Sequence, residues 1–160
     1  EKFIPPKKGR KHILYIIREL LDFKPESTRT NVQCAIEYLT NVLKKRCTAF
    51  MLSDFIDERD FQNALTIANR KHDVVALQVY DRRLEELPDV GLMKVKDAET
   101  GHEQWIDTSS KALRNAHHEW WKARQQKLHD IFTHSNVDSV SVRTDQDYVK
   151  ALLNLFAKRN

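Results

Sequence analysis

Apolar residues at Ile13, Ile16, Ile17, Leu20 and Leu21 recur at helical spacing after the breaker-rich stretch "PPKKG" from Pro5 to Gly9. They predict a helix over His12 to Phe23 with one buried face. A second stripe, Ile36, Leu39, Val42 and Leu43, predicts a helix from Val32 to about Lys45, with Thr30 and Gln33 spaced as a capping box. At Thr48 the periodicity stops. Thr48 to Leu52 is a continuous apolar run, the pattern of a strand buried on both faces in a parallel sheet. "FQNALTIANR", Phe61 to Arg70, is helical again, and Val74 to Tyr80 reads as another buried strand. Strand, helix and strand with short joints make a crossover unit.

Apolar and polar residues then alternate from Gly91 to Asp107 around a turn at Thr100 and Gly101, which predicts a β-hairpin inserted at 91–107. Ser109 or Ser110 can cap a long helix running to about Ser135, with Leu113, Ala116, Trp120, Leu128, Ile131 and Phe132 on one face. Asp138 to Asp145 reads as a third parallel strand. Tyr148 to Lys158 reads as a closing helix with Val149, Leu152, Leu153 and Phe156 inward, capped through Thr144 and Asp147.

Composition narrows the functional classes. The 160 residues are 41% hydrophobic and 31% charged, which suits a single globular domain rather than a disordered chain. The net charge of +4 leans toward acidic partners. The basic clusters are short and lack interleaved aromatics, so no nucleic-acid partner is expected. Two cysteines, Cys34 and Cys47, fit a reduced, cytoplasmic compartment better than a disulfide scaffold. No apolar run is long enough for a transmembrane segment.

The candidate chemistry lies at the predicted strand exits. The first strand ends at Ser53 and Asp54, the second at Asp81, and the third at Thr144 and Asp145. Ligands of open parallel sheets bind outside the carboxyl ends of the strands, so these acids read either as a cation site or as local caps and turns. His117 and His118 diverge on a helix, and His129 and His134 are five apart, so neither pair suits one metal. Neither cysteine has a histidine at ligand spacing, and no nucleophile elbow is present.

The segments "PPKKGRKH", "TRTNV", "MLSDF", "RKHDVVALQVYDRRLEELPDVGL", "DAETGHEQWIDT" and "TDQDYVKALLNLFAKR" together resemble the bacterial domain-of-unknown-function family fifty-eight, which is similar to von Willebrand factor A domains. The resemblance runs along essentially the whole chain. It implies an α/β, von Willebrand factor A-like (Rossmann-like) partial parallel sheet flanked by helices. It also implies a metal-ion-dependent adhesion site made of an Asp-x-Ser-x-Ser loop, a Thr from a second loop and an Asp from a third. Thr30 in "TRTNV" and Asp54, beside Ser53, in "MLSDF" match the second and third elements. The first element is missing, since "DTSSK" has Lys111 and "DSVSV" has Val140 and Val142 where hydroxyls should fall.

The expectation is therefore a partial metal site at Thr30, Ser53 and Asp54. The chain itself would hold no cofactor, and the full-length protein would take Mg²⁺, which prefers hard oxygen ligands. Residues 1–160, beginning at Glu1 rather than Met, are expected to be one domain and the C-terminal part of a larger one. The implied function is a non-enzymatic interaction module, an adaptor or chaperone-like partner of a MoxR-type AAA+ ATPase. The alternative is a Mg²⁺-dependent phosphoryl-transfer or nuclease-like enzyme using Asp54, Asp81 and Asp145. Without the neighbour that the resemblance implies, the strand at Thr48 to Leu52 is expected at an open sheet edge, and self-association through that edge follows.

Overall fold

In the computed structural model, residues 2–26, 29–97 and 99–159 are described; Glu1, Thr28 of "TRTNV" and Ala98 of the hairpin lie outside the described residues. The elements run α1 (Arg10–Asp22), α2 (Val32–Val42), β1 (Thr48–Ser53), α3 (Gln62–Lys71), β2 (Asp73–Tyr80), α4 (Arg82–Glu85), β3 (Leu92–Lys96), β4 (Glu103–Asp107), α5 (Lys111–His134), β5 (Asp138–Arg143) and α6 (Tyr148–Arg159). The fold is mixed α/β, compatible with a Rossmann-like arrangement. Its main sheet is parallel and three-stranded in the order β1-β2-β5, and the β3-β4 hairpin forms a separate antiparallel sheet.

The period of two along β1 and β2 divides the layers. Val74 and Ala76 join Ile36 of α2, Leu65 and Ala68 of α3, and Leu128, Ile131 and Phe132 of α5 in one core, with Met51 packed against it. Phe50 alternates with Met51 and so lies on the opposite face, where it meets Phe156 of α6 edge-on at 6.1 Å. Helices α2, α3 and α5 thus cover one face, and α6 covers part of the other.

Five sequence expectations are corrected here. First, β1 is not buried on both faces: Phe50 is 45% and Leu52 67% exposed, because β1 is the edge strand, although α6 meets that face through Phe156 on Phe50. Second, α1 has no buried residue, and Leu20 and Leu21 are among its exposed positions. A periodic stripe specifies an apolar face but not what covers it. Third, the cap of α2 is Asn31, whose side chain accepts from Cys34 N at 2.9 Å, rather than Thr30. Fourth, the residue buried on α6 is Leu155, while Val149, Leu153 and Phe156 are exposed. On α5, likewise, Trp121 is the buried tryptophan and Trp120 is exposed. Ser110 does cap α5, accepting from Leu113 N at 3.3 Å.

Arg159 fastens α6 to the start of the sheet by pairing with Asp73 of β2 and with Asp138 of β5, the latter at 2.6 Å. The Arg159 hydrogen bond holds the Asp73 carboxyl below its ordinary value of 3.8, against the opposing effect of burial. A depressed carboxylate contributes stability that is complete above its unfolded value and is lost as pH falls through the folded one. Arg159→Ala is therefore expected to lower Tm by a few degrees at neutral pH. In thermal melts the gap from the parent chain should close at acid pH; a gap that persists there would assign the effect to packing.

Candidate functional site

A polar row crosses the carboxyl end of the sheet where Ser53, Gln78 and Ser141 share one register. Gln78 is buried. Its amide donates to the Asp54 carbonyl at 3.3 Å and its oxygen accepts from the Ser141 hydroxyl at 2.8 Å, so β2 and β5 both fix the exit of β1. A buried amide keeps such a place only when its polar atoms are satisfied.

Beyond the row the chain turns sharply. Ser53 Oγ accepts from Phe55 N and Asp54 Oδ1 from Ile56 N, each at 3.0 Å. Phe55 is buried with φ at 55°, a region bulky residues rarely occupy. Its ring meets Phe132 edge-on at 5.2 Å, and its carbonyl accepts from Arg124 at 3.1 Å. The aromatic anchor turns the backbone outward and leaves Ser53 and Asp54 half-exposed.

The second loop is fastened to the first. Asp57 Oδ2 accepts from Val32 N at 2.8 Å at the start of α2, where a carboxylate also complements the helix dipole. Arg59 donates to the Thr30 carbonyl at 3.1 Å, and Thr30 N donates to Glu99 Oε1 at 2.8 Å. Hydrogen bonds from Thr30 hold Glu99 below the usual carboxylate range. The hairpin tip thus rests on the Thr30 loop. Asp57, Gln78 and Glu99 escaped the sequence reading, because each acts through a partner more than twenty positions away.

Thr30 and Ser53 line one groove of about 530 Å³ between α2 and the free side of β1, and Leu39, Leu43 and Cys47 continue it toward the other end of the strand. Asp54 follows Ser53 in the chain and is not among the residues lining the groove. The other exit acids have separate tasks: Asp81 caps α4 by accepting from Arg83 N at 2.7 Å, and Asp145 pairs with Arg143 at 2.8 Å. Arg143 holds the Asp145 carboxyl below its ordinary value. Among the described residues no three His, Cys, Asp or Glu side chains are grouped to hold one metal ion. Thr30, Ser53 and Asp54 are hard oxygen donors of the kind Mg²⁺ takes, but an octahedral ion needs more of them. Ser53 and Asp54 also already accept backbone N–H bonds. Taken alone, the three residues do not make a complete site.

The opposite end of the strands holds a pair that sequence spacing did not reveal. Cys47, just before β1, lies with Sγ 3.5 Å from Nδ1 of His72, just before β2. No histidine lies at ligand spacing from either cysteine in the sequence; the pair forms because parallel pairing joins positions 25 apart.

The family described as "Protein of unknown function DUF58" matches residues 1–127. An uncharacterized protein of Mycobacterium tuberculosis is 29% identical over 160 residues, a match covering 98% of this chain and 50% of the relative. An uncharacterized protein of Mycobacterium bovis gives the same figures. An uncharacterized protein of Mycobacterium avium is 27% identical over 160 residues, covering 98% of this chain and 93% of the relative. The chain spans about half the length of the first two relatives. No solved structure matches it.

Proposed function

The chain belongs to the DUF58 family of unknown function, and from that premise we propose that it serves as a von Willebrand factor A-like interaction module in the bacterial cytoplasm. Its role is that of an adaptor or chaperone-like partner beside a MoxR-type AAA+ ATPase. The observation that carries this reading is the groove along the free side of β1, apolar along its length and with Thr30 and Ser53 at one end. Such an edge offers main-chain hydrogen bonds and side-chain pockets together, the means by which sheets recognise extended segments. The neighbouring loops add hydroxyl and carboxylate groups that set direction.

Thr30, Ser53 and Asp54 are this chain's share of a Mg²⁺ site completed by oxygen donors from outside it. Among the described residues, no helix is long and apolar enough to cross a membrane. The test is titration of the purified chain into a purified MoxR-type ATPase, followed by fluorescence anisotropy. Saturable binding that weakens about ten-fold with Thr30→Ala and Asp54→Ala combined is expected, the loss of one or two charge-assisted contacts. Absence of binding, or binding indifferent to both changes, would overturn the proposal. Calorimetric titration of Mg²⁺ into the chain alone should give no heat of binding; a saturable signal would show that the three residues suffice.

A further inference from the structure

We propose that Cys47 is a modification site for small soft electrophiles, with His72 as the base that takes its proton. His72 is fully buried, at 0% exposure. Its Nδ1 faces Cys47 Sγ at 3.5 Å, and its Nε2 has no hydrogen-bond partner among the described residues. A buried imidazole usually has both nitrogens satisfied. Among the described residues the thiol is the ring's one polar contact. The thiol is reachable: Cys47 is half-exposed and lines the end of the groove beside β1.

Basic residues flank both members of the pair along the chain. Lys44, Lys45 and Arg46 precede Cys47, and Lys71 donates to the Thr40 carbonyl one residue before His72. The acid nearby, Asp73, is occupied by Arg159 and by the Thr48 hydroxyl at 3.2 Å. Cationic, partly exposed surroundings with an adjacent base distinguish reactive cysteines from inert core thiols. Cys34, exposed on α2 and without a histidine contact among the described residues, is the internal control.

With a haloacetamide the step balances simply. The Cys47 sulfur forms a bond to the methylene carbon as the carbon–halogen bond breaks, halide leaves, and the thiol proton passes to His72 Nδ1. No oxidant is required.

The experiment is timed labelling of the whole chain with iodoacetamide, with the two cysteine peptides quantified by mass spectrometry. In the native chain Cys47 is expected to react about ten-fold faster than the more exposed Cys34, at the low end of what a positioned base supplies. In denaturing urea the difference should shrink to the small remainder that the flanking Lys44, Lys45 and Arg46 sustain without His72. Were the full difference to survive unfolding, the local basic sequence rather than His72 would be its cause, and the proposal would fail. His72→Gln keeps a polar side chain but removes the base, and should bring Cys47 down toward the rate of Cys34 without altering Cys34. If that variant does not fold, the native-to-unfolded comparison decides alone. Faster native labelling of Cys34 overturns the assignment.

Discussion

Phe55→Ala is expected to destabilise the chain by about 3–5 kcal/mol, and Phe55→Gly by no more than that. The first figure follows from burial. Phe55 is 2% exposed and its ring is set between Phe61 and Phe132, so truncation leaves a cavity bounded by two large side chains. Against a total stability of about 5–15 kcal/mol for a natural domain, this is a large fraction. The second figure inverts the usual order. Glycine ordinarily costs more than alanine because it loses more backbone freedom, but Phe55 has φ at 55°. A residue with a Cβ is disfavoured there by roughly 1–2 kcal/mol, which glycine avoids. Urea denaturation of the two variants separates these effects. If glycine proves clearly worse than alanine, the left-handed turn at the exit of β1 is not a strained feature held in place by the aromatic anchor.

That turn also marks how far the site could be read in advance. The carboxyl ends of β1, β2 and β5 were legible, because an apolar run ending at a polar or acidic residue is a local pattern. The grouping of Thr30 with Ser53 and Asp54 as one partial metal site rested on family resemblance, because no local period connects a residue on the approach to α2 with the exit of β1. Gln78 was hidden inside "VVALQVYD", where one amide in an apolar strand looks incidental until Asp54 and Ser141 are placed beside it. Burial followed the same rule. The sequence period located α5 and α6, but the choice of Trp121 over Trp120, and of Leu155 over Leu153, depends on the angle at which each helix meets its neighbours. A stripe about 100° wide cannot fix that angle. The exposed stripe of α1 is the limiting case, with a pattern and no covering layer in the described structure.

The largest change in behaviour is expected at β1. This chain should associate through that strand in solution, and Leu52→Lys should return it toward monomer. β1 reads "TAFMLS", with no charge, proline or glycine, whereas natural edge strands carry such features to discourage pairing. β2 pairs with one side of β1 only, so the other side presents unpaired main-chain donors and acceptors next to the apolar groove under α2. Phe50 and Leu52 add exposed apolar area on the face that α6 leaves open. A second copy of the same strand can satisfy all three features together, since an edge lying across a two-fold axis is self-complementary. Lysine at position 52 places a charge within that contact. Because Leu52 is already 67% exposed, the change should alter monomer stability by no more than about 0.5 kcal/mol. Sedimentation velocity over a concentration series distinguishes the outcomes. A parent chain that stays monomeric at high concentration would show that the β1 edge does not pair. Association that survives Leu52→Lys but is abolished by Leu20→Lys would move the contact to α1, whose Leu20 and Leu21 are 76% and 80% exposed.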